Sequence, residues 1–204
     1  MKLFYSPGAC SLAPHIAARE TGLTLTLQKV DLATHRLADG SAYHAINPRG
    51  YVPAMQFDDG TIHTEVASLL QFIADRAPKA GLLAPAGSPE RLQTIEWVSF
   101  VASELHRTFS PWLWHKETPD ATKKACRDKL AVRFAELDSR LDGRQWLAGE
   151  TFTIADIYCF TIVNWSNFLG IPLASTPHLQ AYLARVAERP AVREALVAEG
   201  LVKS

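Results

Sequence analysis

Apolar residues recur at every second position only in short runs before residue 65; beyond it their spacing is that of helices. That switch divides the chain into a mixed α/β part and an all-helical part. Residues 2–5 form a short apolar run, and Leu23-Thr24-Leu25-Thr26-Leu27-Gln28 alternates with its leucines on one face, so both read as strands. Between them Leu12, His15, Ile16 and Arg19 predict a helix over 11–21, with Pro14 tolerable in the first turn and Gly22 as a stop. Strand, helix, strand favours a parallel pair joined by a right-handed crossover.

Residues 52–57 and Thr61-Ile62-His63 flank Asp58-Asp59-Gly60, whose Asp-Gly pair suits a hairpin turn. An antiparallel pair is expected there. Val66, Leu69, Leu70 and Ile73 then predict a helix over 65–76, so the first eighty residues spell βαβ followed by ββα, a four-stranded mixed sheet with helices.

Composition shifts to Pro, Gly, Ala and Ser between Pro78 and Pro89. The expected division is therefore a first domain over 1–80, a linker over 81–87 and an all-α domain over 88–204. Ser88-Pro89-Glu90 is a helix start, and Leu92, Ile95, Val98, Ala102, Leu105 and Phe109 line one stripe of about five turns. Thr118-Pro119-Asp120 opens a second helix with Leu130, Phe134, Leu137 and Leu141 inward. Thr153-Ile154-Ala155-Asp156 is a capping box, with Phe152 and Ile157 placed as its hydrophobic staple. Further helices are expected over 178–188 and 191–199.

The 21 basic and 21 acidic residues cancel and are interspersed, which leaves no electrostatic footprint for nucleic acid or an anionic membrane. No apolar run approaches the roughly 20 residues of a spanning helix, and the start breaks too soon for a signal peptide. A cytoplasmic protein is expected, with no membrane and no nucleic-acid partner. Cys10, Cys126 and Cys159 lack metal-ligand spacing, so no metal is expected.

Cys10 lies in the loop Ser6-Pro7-Gly8-Ala9-Cys10-Ser11, just before the first helix. Helix N–H groups and the dipole end would stabilise a thiolate there and lower its pKa. Position 13 is Ala, so a dithiol pair is excluded and only an external thiol can resolve the sulfur. Pro53 is placed where a cis bond would turn the backbone of Val52 toward that loop, ready to pair with an extended peptide-like ligand. Glu65 opens the third helix, where an acidic residue serves structure equally well as it serves an amino group. Ser99, Ser103, His106 and Ser110 fall on one polar stripe of the long helix, and His106 could donate to a thiolate or remain an ordinary histidine. Phe109, Trp112, Trp114, Trp165 and Phe168 concentrate aromatic area in the second domain, mostly as core, with some available to line an apolar pocket. Lys123, Lys124, Arg127, Lys129 and Arg133 read as a solvated face.

The phrases Tyr5-Ser6-Pro7-Gly8-Ala9-Cys10-Ser11-Leu12-Ala13-Pro14-His15-Ile16-Ala17, Ile46-Asn47-Pro48-Arg49-Gly50-Tyr51-Val52-Pro53, Thr64-Glu65, Ser103-Glu104-Leu105-His106, Phe152-Thr153-Ile154-Ala155-Asp156 and Ala198-Glu199-Gly200-Leu201 resemble the cytosolic glutathione transferases of the bacterial beta class, over essentially the whole chain. The resemblance implies an α/β thioredoxin-like N-terminal domain followed by an all-α C-terminal domain, glutathione as cosubstrate, and a homodimer. It implies catalytic roles for Cys10, Ser11 and His106. It places glutathione contacts at Cys10, His35, Val52, Pro53, Glu65, Val66, Ser99, Ser103, Glu104, Leu105 and His106, with Glu104 reaching across a dimer interface. The small hydrophobic electrophile would lie against Phe109, Trp112, Trp114 and Trp165. His35 stands where lysine is common, Val66 where glycine or serine is usual, and Ser99 where asparagine is frequent, which together predict weaker glutathione binding than is typical of the class.

Three functions follow from this reading. The first is conjugation of the glutathione thiolate to hydrophobic electrophiles. The second is glutathione-dependent thiol-disulfide exchange or peroxide reduction through Cys10. The third is a non-catalytic glutathione or hydrophobic-ligand binding protein that retained the fold.

Overall fold

Strand β1 (Lys2–Tyr5) is the middle of the sheet because its side chains are buried on both faces, Leu3 and Phe4 completely so. The computed structural model describes residues 1–203 and divides them into two units: Met1–Ala80 with the segment that begins at Arg189, and Gly81–Glu188.

In the first unit β1 pairs in parallel with β2 (Thr26–Asp31), Lys2 opposite Thr26, after the crossover helix α1 (Leu12–Thr21). Gly22 ends α1 in the left-handed conformation at φ 70°, as its position suggested. Pairing begins later than the alternating run: Leu23 and Leu25 are half-buried in the connection, and the alternation marks their burial rather than a ladder. β4 (Ala54–Gln56) lies antiparallel to β1, and β5 (Ile62–Thr64) antiparallel to β4, around a turn with Gly60 at φ 88°. The sheet has five strands, not four, in the order β3-β2-β1-β4-β5. The additional β3 (Arg36–Leu37) is two residues long, too short to show a period.

Helix α2 (Val66–Arg76) buries Val66, Leu69, Leu70 and Ile73 and packs on α1, each large aliphatic side chain contributing roughly 2 kcal/mol. The last helix, α9 (Pro190–Ala198), also packs on α1, so the segment from Arg189 belongs to the first unit and not to a domain over 88–204. Val192, Ala195 and Leu196 are its buried face, and Arg189 clasps Glu20 through two hydrogen bonds of 2.6 and 2.8 Å. Amphipathic spacing shows that a helix has a buried face, but not which neighbour covers it.

The second unit is built from helices. Ser88 caps α3 (Pro89–Phe100) by accepting from the Arg91 amide; a π-helical turn, Val101–His106, and a short α4 (Arg107–Phe109) continue its path. The stripe drawn through this run is corrected at its start. Leu92 is 65% exposed, and Thr94, Val98 and Val101 form the buried face instead. The π turn takes up one extra residue, about 100° of rotation, so one period fitted across the run averages two faces that are out of phase.

Helix α5 (Asp120–Leu141) buries Leu130, Phe134, Leu137 and Leu141 as expected. Helix α6 (Ile154–Val163) carries the capping box: Thr153 Oγ1 accepts from the Ala155 amide at 3.3 Å and Asp156 accepts from the Thr153 amide at 2.8 Å. A short α7 (Trp165–Leu169), not anticipated, precedes α8 (Pro177–Ala187). Among the described residues no helix is long and apolar enough to cross a membrane.

The fully buried Asp156 also accepts from the Leu147 amide at 2.9 Å and the Tyr182 hydroxyl at 3.1 Å, tying α6 to α8 and to the loop after α5. Asp156→Ala would leave those donors unpaired, and an accumulated loss of about 3 kcal/mol or more is expected in urea unfolding. Thr153→Ala, which removes a cap alone, should cost about 1 kcal/mol.

Candidate active site

The loop between β1 and α1 is shaped by its own polar groups. The Ser11 hydroxyl accepts from the Ser6 amide at 3.1 Å and donates to the Ser6 carbonyl at 3.3 Å, while the Ala9 amide donates to the same carbonyl at 3.0 Å. Gly8, at φ 73°, allows the turn. Ser11, expected among the catalytic residues, is fully buried with its hydroxyl engaged at Ser6, so in this structure it fixes the loop.

Cys10 Sγ donates to the Val52 carbonyl at 3.2 Å. The Val52-Pro53 bond is cis, as the placement of Pro53 suggested; Ser110-Pro111 is a second cis bond that nothing in the sequence singled out. The expectation of a lowered Cys10 pKa is overturned. Burial pushes the thiol up to about 12, the Glu65 carboxylate adds to the rise, and the amides of Cys10 and Ser11 oppose it without prevailing. Cys10 is therefore a neutral hydrogen-bond donor in the free protein, because the helix terminus is outweighed by the loss of solvent around the sulfur.

Glu65 stands at φ 70° just before α2; among the described residues it and His35, at φ 52°, are the two non-glycine residues with positive φ. Its exposed carboxylate accepts from the Tyr51 hydroxyl at 2.7 Å and from Arg49 at 3.2 Å. Tyr51 is thereby held as a phenol, its pKa raised first by partial burial and then by the hydrogen bond to Glu65. The following residue, Val66, is buried, so its side chain belongs to the core. His35 meets the Gly50 carbonyl through Nδ1 at 3.0 Å and stacks on His44 at 4.5 Å. Gly50 sits at φ 74° against both rings, and a Cβ there would collide with His44.

In the second unit His106 closes the π turn, and its Nδ1 lies 2.7 Å from the Tyr158 hydroxyl of α6. Trp165 stacks edge-on against His106, Phe109 and Trp114 with centroids 5.1, 5.8 and 5.5 Å apart. Phe109 is completely buried, so it supports this cluster from the core and lines no open surface, whereas Trp112 and Trp114 are nearly half exposed. Leu105 is likewise fully buried, and a side-chain contact to glutathione from it is excluded by its packing. Ser99 and Ser103 are exposed, and the Ser103 hydroxyl donates to the Ser99 carbonyl at 2.9 Å. Glu104 pairs with Arg133 at 2.9 Å and Lys129 at 3.2 Å, hydrogen bonds that hold its carboxyl below its ordinary range. Two residues of the supposed solvated face thus have a specific partner.

Sequence reasoning missed Tyr158, Arg49 and Tyr51. Tyr158 lies 52 residues from His106 and inside a wholly buried helix, where a tyrosine carries no signal of its own. Arg49 and Tyr51 fall in a phrase that was singled out, but for Val52 and Pro53 alone.

The geometry can be set beside known proteins. The model of the glutathione S-transferase N-terminal domain matches residues 8–76, and that of the C-terminal domain matches residues 100–190. Glutathione S-transferase GstA of Escherichia coli O157:H7 is 46% identical over 201 residues, 98% of this chain and 100% of GstA. A sphingomonad glutathione S-transferase solved in complex with glutathione is similar with a TM-score of 0.93 and 44% identity, over 99% of this chain and 100% of that one. The bacterial beta class enzyme of Sphingomonas chungbukensis gives a TM-score of 0.94 at 44% identity, over 99% and 100% of the two chains.

Because the Cys10 proton is held up to a pH of about 12, alkylation of Cys10 by iodoacetamide at neutral pH should be about 100-fold or more slower than that of free cysteine, and should rise with pH throughout the accessible range. The sign for stability follows from the same shift. A thiol whose folded pKa lies above its unfolded value favours the fold below the ordinary value of 9.0 and loses that contribution as pH rises toward 12. Cys10→Ala should therefore show a shallower loss of stability over that window in parallel urea titrations.

Proposed function

The chain belongs to the glutathione S-transferase family, and from that premise we propose that it conjugates the thiolate of bound glutathione to small hydrophobic electrophiles, with Cys10 holding the sulfur rather than attacking. The observation that carries this reading is the neutral Cys10 thiol hydrogen-bonded to Val52. A neutral buried thiol is a poor nucleophile but a usable donor, and its single proton, turned from the Val52 carbonyl to a bound thiolate, lowers the energy of the anion.

In this proposal the first unit receives the tripeptide. The Val52 backbone pairs with its cysteinyl part, His35 lies toward the glycyl end, and Glu65 with the amide of residue 66 takes the γ-glutamyl head group. Tyr51 and Arg49 pre-orient the Glu65 carboxylate, so they join the candidate binding residues. In the helical unit His106 takes a catalytic role, its ring set by Tyr158, and the exposed aromatic area of Trp112 and Trp114 serves the electrophile, while Trp165, expected beside them, is buried and backs His106 and Trp114. In the reaction the glutathione sulfur forms a bond to the electrophilic carbon, and a halide or similar group leaves with the displaced electron pair. Disulfide exchange through Cys10 requires the thiolate that burial disfavours. A cytoplasmic homodimer is part of the proposal, and light scattering of the purified chain tests its oligomeric half.

The deciding assay uses a chromogenic aryl halide with glutathione. Cys10→Ala should retain activity within about tenfold of the unaltered chain, since a hydrogen-bond donor to an anion is lost and not a covalent step. A fall beyond about 1,000-fold, with a glutathione adduct on the native protein by intact mass after oxidised glutathione, would make Cys10 the reacting group instead. Tyr158→Phe should lower kcat by about tenfold with the KM for glutathione little changed, as expected of a residue that only orients His106.

A further inference from the structure

The phrase Ala198-Glu199-Gly200-Leu201 places an acidic residue, Glu199, inside the first unit. Its side chain is fully buried at the end of α9, as is that of His15 in α1. A carboxylate in a core is costly unless its oxygens are fully engaged. Both are: Oε1 lies 2.8 Å from His15 Nδ1, and Oε2 accepts from the Gly8 amide at 2.9 Å. Gly8 is two residues before Cys10 and 191 residues from Glu199. The tautomer with its proton on Nδ1 donates to Glu199 and leaves only a lone pair at the buried, unpartnered His15 Nε2, the cheaper atom to leave unsatisfied.

We propose that Glu199 and His15 are positioning residues for the thiol site: the carboxylate at the end of α9 clamps the Gly8 peptide, and the His15 ring keeps the carboxylate aimed at it. Beside the bond from the Ala9 amide to the Ser6 carbonyl, three further ties hold the loop. Ser11 fixes Ser6, Val52 receives Cys10, and Glu199 fixes the peptide between them. Loss of the Glu199 tie weakens the hold on the left-handed conformation of Gly8, from which the backbone runs on to Cys10. A second tie between the same helices separates docking from positioning. Arg189 pairs with Glu20 at the other end of α9.

The proposal rests on the reading that this loop receives the glutathione sulfur, so its test has arms with and without glutathione. Glu199→Ala should raise the KM for glutathione by about tenfold or more while kcat changes by less than about threefold, the loss of a charge-assisted hydrogen bond read as affinity. Glu199→Gln can still accept from Gly8 and should restore KM to within about threefold of the unaltered value. Arg189→Ala should lower Tm but leave KM within about twofold. A folded Glu199→Ala with unchanged KM, or an Arg189→Ala that raises KM equally, overturns the proposal. Without glutathione, Cys10 in Glu199→Ala should be alkylated about tenfold faster than in Arg189→Ala, and equal rates overturn it. Should Glu199→Ala fail to fold, hydrogen exchange of the unaltered chain decides. Protection across residues 6–10 equal to that of α1 supports the clamp, and exchange as fast as in the 58–61 turn overturns it. Failure of the unaltered chain to turn over would count against the proposed function alone, since the alkylation and exchange arms read the clamp directly.

Discussion

The burial of the Cys10 sulfur decides the chemistry available to the first unit. A cysteine beside a helix N-terminus and amide groups is a candidate thiolate, and in an open loop it would be one. Here the sulfur is enclosed, its proton points at the Val52 carbonyl, and Glu65 adds negative charge nearby. Desolvation outweighs the amides. The thiol keeps its proton, and the surrounding structure has to hold a neutral donor in place rather than stabilise an anion. The ties at Ser6, Val52 and Gly8 all serve that placement, and none would be needed by a cysteine that merely filled space.

The helical unit follows a comparable logic with different parts. The π turn at Val101–His106 sets His106 beside Tyr158 and the edge of Trp165, while Leu105 and Phe109 anchor the same turn in the core. A wide turn is tolerable because both flanks are fixed, by Val98 before it and Phe109 after it. Asp156 performs the equivalent task for α6, where it closes the capping box and accepts from Leu147 and Tyr182. The helix that carries Tyr158 is therefore positioned by a buried carboxylate, as the Cys10 loop is by Glu199.

Much of this was legible before any coordinates. The crossover unit, the hairpin at Gly60, the capping box and the inner face of α5 follow from short-range periods and from turn chemistry, which act between residues a few positions apart. The long helix was legible as a helix but not as a face, because a π turn interrupts its period and leaves Leu92 in solvent. β3 escaped notice at two residues, and α7 at five, too short for either to show a period. At the candidate site, the positions Cys10, Pro53, Glu65 and His106 could be named in advance. The groups that hold them or their loop, Tyr51 at Glu65, Tyr158 at His106 and Glu199 at Gly8, could not, since each hydrogen bond joins residues that only the fold brings together.

The sequence by itself determined the order of elements, the two-part organisation and the family to which the chain belongs, because hydrophobic period, capping residues and local motifs are properties of neighbours along the chain. Only the tertiary structure decided that α9 joins the first unit, that Ser11 ties a loop, and that Cys10 is a neutral donor. Each of these depends on which groups exclude water from which others, and desolvation is set by enclosure from every side, a quantity that no linear spacing contains.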